Sequence, residues 1–385
     1  MRTSKKDKAS RLAYCQYLLS TPTNYTLTHF GEYSPDYSHD QMNRYLERDR
    51  LPPRLVWENV RGQVKQSSNG VLIFDDVVID KQHAQMMELV RAQWSGNAKA
   101  VIDGIGIVTC VYVNPDMGGF WLIDYRVYDP DHDHKSKLDH MREMLNNAVV
   151  YKHLQFSDCV MDTWYAAADE MQYIDALGKT FYCPLKNNRY VCAADADHTG
   201  RFCRVDELVW SAEELRSGKL IQLQGTPDFT VKLFRFDFPT GKRDFIVTND
   251  LTQAWTPSAQ QVCGWRQKIE EVHREVKQLT GLGQCQCRRA RIIRNHIACA
   301  FLVWGYLKHV AHQTARTVYQ VKHDLLSDFL RRELRHPVVK MRLAAYVQTY
   351  INQHRVHRPV AVHIRRARHR CPAWPVARPL CQSTG

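Results

Sequence analysis

Arg266, Glu270, His273 and Lys277 recur at helical spacing within the stretch 265–277. At about 100° per residue they form one charged stripe. Trp265, Ile269, Val272, Val276 and Leu279 form an apolar stripe one residue out of phase, the pattern of a face turned toward a core. The charged stripe therefore runs along the rim of the buried face rather than opposite it. An acid held there between cations suits chemistry on metal and phosphate. The alternative is an amphipathic helix whose surface ion pairs are worth about 0.2–0.5 kcal/mol each.

Further acids lie in apolar surroundings upstream. The run 71–79 reads Val-Leu-Ile-Phe-Asp-Asp-Val-Val-Ile, a buried strand with Asp75 and Asp76 in its middle. Side chains alternate along a strand, so these two acids point to opposite faces. A second short strand ends in Asp162. Unpaired buried carboxylates are expensive, and metal binding is one use that justifies them. An edge strand with a solvated acid pair is the alternative. Asp75, Asp162 and Glu270 together offer hard oxygen donors suited to Mg²⁺ or Mn²⁺, with coordination places left for water and phosphate. Two such ions about 4 Å apart activate an attacking oxygen and stabilise a leaving one. Asp76 is a rival for the first position.

Other constellations are weaker. Asp129-Pro-Asp-His-Asp-His-Lys begins like a calcium loop, but His134 replaces the turn glycine and His140 the bidentate glutamate. Cys263, Cys285, Cys287, His296 and Cys299 lack zinc-finger spacing and read as buried small hydrophobes. Neither a glycine-rich phosphate loop nor a G-x-S-x-G elbow is found.

These residues must be positioned by a chain of 385 residues, 44% hydrophobic, with a net charge of +13. That length supports a large domain plus a small one, and the charge favours a polyanionic partner. Twelve scattered cysteines and a start without a signal-peptide pattern imply a reduced, cytoplasmic setting. The apolar run 297–307 is too short to span a bilayer, so no membrane partner is expected.

Residues 1–65 read as short helices, expected to be a DNA-binding region by charge and by a helix–turn–helix spacing, with a capping box at Ser38–Gln41. The large domain extends over 66–312. It is expected to place strands at 71–79, 102–113, 120–128 and 180–185, a short strand that the run 154–161 leads into and that ends at 162, and helices at 85–93, 137–149 and 166–177. A β-rich insert over about 189–255 carries strands at 219–223, 229–238 and 244–247. Helices are expected again at 288–307 and 318–334, the latter within a C-terminal helical region 313–354. From about residue 355 an Arg/Pro-rich basic tail lacks any core-forming pattern and reads as disordered. The class is α/β, a mixed sheet flanked by helices.

The chain resembles the DDE-type insertion-sequence transposases, in the branch whose RNase H-like core carries a β-rich insert. That branch has a tyrosine–arginine–glutamate–lysine signature around its last acid. Arg266, Glu270 and Lys277 keep the spacing, and Cys263 stands at the tyrosine position. The stretches Leu72-Ile-Phe-Asp-Asp-Val-Val, Val160-Met-Asp-Thr-Trp-Tyr, Tyr182-Cys-Pro-Leu-Lys-Asn-Asn-Arg and 269–281 are similar to those of such bacterial enzymes, and the likeness spans roughly residues 20–350.

The resemblance implies Asp75, Asp162 and Glu270 as catalytic, metal-holding acids on two Mg²⁺ or Mn²⁺ ions. It implies Arg266 and Lys277 at phosphates, with His273 and Arg274 as adjacent DNA contacts. It further implies a bacterial, nucleoid-associated protein acting on double-stranded DNA, at transposon terminal inverted repeats and at a target, as a homodimer. Two other classes remain: a catalytically inactive DNA-binding derivative and a stand-alone RNase H-like nuclease.

Overall fold

The computed structural model describes residues 10–84, 86–194, 201–226 and 228–336. The basic tail expected from about residue 355 lies outside the described residues, as do residues 337–354 of the expected C-terminal helical region. Helices α1 (Arg11–Ser20), α2 (Leu27–Tyr33), α3 (His39–Arg48) and α4 (Arg54–Val60) come first. Strands β1 (Val71–Asp80), β2 (Arg91–Ser95), β3 (Ala100–Asn114) and β4 (Gly119–Val127) follow. Next come the short α5 (Pro130–Asp133) and α6 (Lys137–Asn146), which runs into a π-helical turn at Asn147–Tyr151. β5 (Asp158–Met161), α7 (Ala168–Ala176) and β6 (Thr180–Leu185) complete this part.

The insert carries β7 (Tyr190–Ala193), β8 (Cys203–Arg204), α8 (Ala212–Ser217), β9 (Lys219–Leu223), β10 (Thr230–Asp237) and β11 (Arg243–Thr248). Helices α9 (Thr256–Gly264), α10 (Gln267–Leu279), α11 (Ala290–Thr314) and α12 (Val318–Arg335) come last. The described residues up to Asp328 belong to one compact unit; a second begins at Phe329, of which the end of α12 is described.

The strands make one sheet in the order β2-β3-β1-β5-β6-β11-β10-β9-β7-β8, with β4 also paired to β3. β1 is antiparallel to β3 and parallel to β5, and β5 is parallel to β6. The order β4-β3-β1-β5-β6 is an RNase H-like mixed sheet. The insert continues this sheet through β11, antiparallel to β6.

Alternation along β1 sorts the cores on the two faces. Val71, Ile73, Val77 and Ile79 join Ile269, Val272 and Val276 of α10 and Ile297, Phe301 and Trp304 of α11. Tyr14, Leu18, Phe30, Met42 and Leu46 of the N-terminal helices lie in that same core. Leu72 and Phe74 face the other way, among Met141, Met144 and Leu145 of α6 and Met171 and Ile174 of α7. Each such buried side chain contributes about 1.5–3 kcal/mol relative to exposure, before entropy is counted.

The capping box forms: Ser38 Oγ accepts from Gln41 N–H, and the Gln41 side chain accepts from Ser38 N–H. The helix expected over 85–93 does not form. Met86 and Leu89 have φ of 55° and 71°, which turns the chain, and 91–95 becomes β2 on the edge of β3. No helix among the described residues is long and apolar enough to cross a membrane.

Candidate active site

The register of two neighbouring strands places the first two acids. Phe74 pairs with Met161 across parallel β1 and β5, so Asp75 and Asp162 each stand one residue further along. Odd positions of β1 face α10, so Asp75 points toward that helix. Glu270 sits in the first turn of α10, and Arg266 is its N-cap residue. The buried stripe of Ile269, Val272, Val276 and Leu279 fixes the rotation of α10 against the sheet. Glu270 is thereby held at the rim.

The three acids meet at one guanidinium. Arg266 Nη2 lies 2.7 Å from Glu270 Oε1, and Nη1 lies 3.4 Å from Asp162 Oδ1 and 3.7 Å from Asp75 Oδ2. Side-chain exposure rises from 14% at Asp75 through 37% at Asp162 to 51% at Glu270, so the cluster opens outward from the strand. Burial raises the Asp75 carboxyl to about 7, and the neighbouring charges of Asp76 and Asp162 push the same way. Arg266 and the hydrogen bond from Asp76 N–H to Asp75 Oδ1 oppose this rise.

Asp76 points to the opposite face. Its Oδ2 accepts from Lys137 Nζ at 2.6 Å, and Tyr165 donates to its Oδ1 at 3.3 Å. It is thus held in an ion pair with the start of α6. Lys137 also sits over the rings of Tyr128 and Trp164. Burial, with Asp76 and Asp75 nearby, drives the Tyr165 phenol well above its usual range, so it remains a donor.

The remaining residues on α10 divide. His273 is turned inward: its Nε2 is 2.8 Å from Thr109 Oγ1, and Thr109 donates to the Asp75 carbonyl at 3.1 Å. Thr109 has one proton and gives it to Asp75, so His273 Nε2 carries the hydrogen. Burial, then Lys277 and Arg266, lowers this imidazole to about 3, which keeps it neutral. His273 therefore braces the Asp75 strand. Lys277 is partly buried, its pKa lowered by that burial, while Arg274 is exposed. Cys263 lies near Arg266 and Asp162, and burial raises its thiol to about 11.

Lys137, Tyr165 and Thr109 join the acids in the structure without having stood out in the sequence. Tyr165 follows Asp162 within the quoted stretch 160–165, a signal that was present. Lys137 and Thr109 are adjacent to the acids only through the fold.

Three carboxylates against one guanidinium leave an excess of negative charge. That excess, with the raised Asp75, fits a divalent cation bound by hard oxygens. Among the described residues no three His, Cys, Asp or Glu side chains are placed to chelate one ion as they stand. Arg266 holds the positive position between them.

The fold so defined is an α/β, RNase H-like sheet with a β-rich continuation. No family model and no curated protein matches the chain. Among solved structures it is similar to a piggyBac transposase synaptic complex with hairpin DNA, at 11% identity and TM-score 0.46, covering 91% of this chain and 76% of that one. It is similar also to an endonuclease V from Bacillus subtilis, at 11% identity and TM-score 0.28, covering 58% of this chain and 91% of that one.

Proposed function

We propose that the chain is a metal-dependent DNA-cleaving enzyme, a transposase of a bacterial insertion sequence. The observation that carries this reading is the meeting of Asp75, Asp162 and Glu270 at Arg266, from two adjacent strands and a helix. Asp75, Asp162 and Glu270 would hold Mg²⁺ or Mn²⁺, two ions in this reading. When bound, such ions supply an activated water and stabilise the leaving oxygen of a phosphodiester.

The chain's own residues do the rest. Asp75, braced through Thr109 and His273, keeps its place on the strand. Glu270 and Asp162, the more exposed acids, face the incoming strand. Arg266 neutralises the acids and would pass to a phosphate oxygen once cations replace it, matching its planar fork to phosphate. Arg274 and Lys277 add positive charge along the same helix. DNA would be cut at transposon ends, and the freed 3′-hydroxyl joined to target DNA by a homodimer synapsing two ends.

The test uses a labelled duplex carrying the sequences that flank the gene, an unrelated duplex, and a supercoiled target plasmid, in Mg²⁺ or Mn²⁺. A transposase cuts the flanking ends and joins the labelled 3′-ends to the plasmid. Equal cutting of both duplexes without joined product would replace this reading by a stand-alone nuclease. Binding without cutting would replace it by an inactive DNA-binding derivative.

A further inference from the structure

A cavity of about 1210 Å³ lies between α4, β4, α6 and the start of α11. Asp75, Asp162, Arg266 and Glu270 are not among its lining residues. Its inner cations already lie in ion pairs. Arg126 and Lys152 pair with Asp124, and Arg294 pairs with Asp129.

The outer ones do not. Arg50 before α4, Arg61 after it and Arg291 in the first turn of α11 all line the cavity, all exposed. Among the described residues none of the three has a carboxylate within ion-pair distance. Arg54 nearby is paired with Glu58.

A second feature is independent of these charges. His140 lines the same cavity and is 2% exposed, yet neither ring nitrogen has a hydrogen-bond partner. Asp133 and Glu143 lie 3.4 and 4.0 Å from its nitrogens without hydrogen-bond geometry. A buried imidazole normally finds a partner, and an unmet one beside a polar cavity points to a ligand that supplies it.

We infer that this cavity is a second phosphate-binding site, which takes the sugar–phosphate backbone of a nucleic-acid strand away from the cutting centre. Arginine forks suit phosphate oxygens, and three free ones from separate segments fit successive phosphates better than a single small anion. A volume above about 1,000 Å³ exceeds what a small ligand needs. The inner wall, where Asp124, Asp129 and Asp133 line the cavity beside His140, keeps the strand at the outer arginines. The nucleic-acid identity of the ligand rests on the function proposed above, whereas the charge and the unmet imidazole do not.

The test measures binding of a labelled duplex to the full chain by fluorescence anisotropy across a salt series. Three proteins are compared: wild type, the triple variant Arg50→Ala, Arg61→Ala, Arg291→Ala, and the triple variant with Lys at the same positions. Each lost phosphate contact lowers the slope of log K against log salt by about 0.9. The Ala triple variant is expected to lose about 2 to 3 from the slope, and the Lys triple variant to keep it.

An unchanged slope in the Ala variant, with metal-dependent cutting by wild type intact, overturns the cavity site alone. A reduced slope in a protein whose wild type never cuts DNA leaves the cavity site standing and removes the proposed activity. Saturable calorimetric binding of inorganic tripolyphosphate, lost in the Ala variant while the duplex slope stays unchanged, overturns the backbone assignment in favour of a small anion. All three arginines are exposed, and coincident thermal melts of the three proteins check that the substitutions leave the fold in place.

Discussion

Asp75 and Asp162 stand side by side because Phe74 and Met161 are paired across parallel β1 and β5. Two carboxylates in that position repel, and Arg266 is the charge that offsets them. Replacing Arg266 by Met removes it. Without divalent ions, Arg266→Met should lose about 1–2 kcal/mol, less than a fully buried pair because the acids are partly solvated. Mn²⁺ should raise its melting temperature more than it raises that of wild type, since binding to the folded state alone stabilises it. Identical melting temperatures and identical metal responses would mean that the acids need no cation.

Asp75 and Asp76 are adjacent in sequence and opposite in role. Asp75→Asn should reduce cleavage to background with the fold retained. Asp76→Asn should leave Lys137 without its carboxylate and cost about 3 kcal/mol. Chemical denaturation paired with cleavage assays separates the two. The reverse pattern would make Asp76 the first acid.

His273 gives a pH signature. Its pKa falls from 6.5 in the unfolded chain to about 3 in the fold. Between those values the unfolded state binds a proton that the native state does not. This group therefore costs stability progressively as pH falls from 6.5 toward 3, by about 1.4 kcal/mol per pH unit at most, and contributes no pH dependence above 6.5. His273→Gln keeps a donor for Thr109 and removes the proton, so its stability should fall less steeply with acid than that of wild type. Parallel curves from denaturation at a series of pH values would show that the imidazole titrates normally.

Ile269 is fully buried directly beside Glu270. Ile269→Ala should cost about 2–5 kcal/mol and loosen the rotation of α10. Cleavage measured well below the melting temperature should fall as well, because Glu270 loses its fixed rim position. Full activity in a destabilised but folded variant would separate the packing of α10 from the chemistry.

Much of this was legible before the structure. Periodicity located α10 and its core face, and the β-branched run located β1 and its two acids. The bounds of β6 and β9 match the expected runs, because turn residues bracket both. The choice between Asp75 and Asp76 was not legible. Alternation shows that they diverge, and the packing partner of each face decides which meets Glu270. Residues 85–93 carry helical-looking composition, but the long β3 leaves an edge that 91–95 pairs with, and tertiary pairing overrides propensity. The insert reads as β-rich from its runs, whereas its continuation of the main sheet through β11 depends on a pairing with β6 far back in the chain. Arg50, Arg61 and Arg291 lined one cavity only once α4 and α11 were packed together.

The most direct test of the central claim compares wild type with Glu270→Gln on a labelled duplex in Mg²⁺ or Mn²⁺, with a chelator control. The substitution keeps the side-chain shape and removes one charge. Cutting by wild type that needs the metal and is lost in Glu270→Gln is the predicted result. Equal cutting by both proteins, or cutting that survives the chelator, would contradict a centre built from Asp75, Asp162 and Glu270.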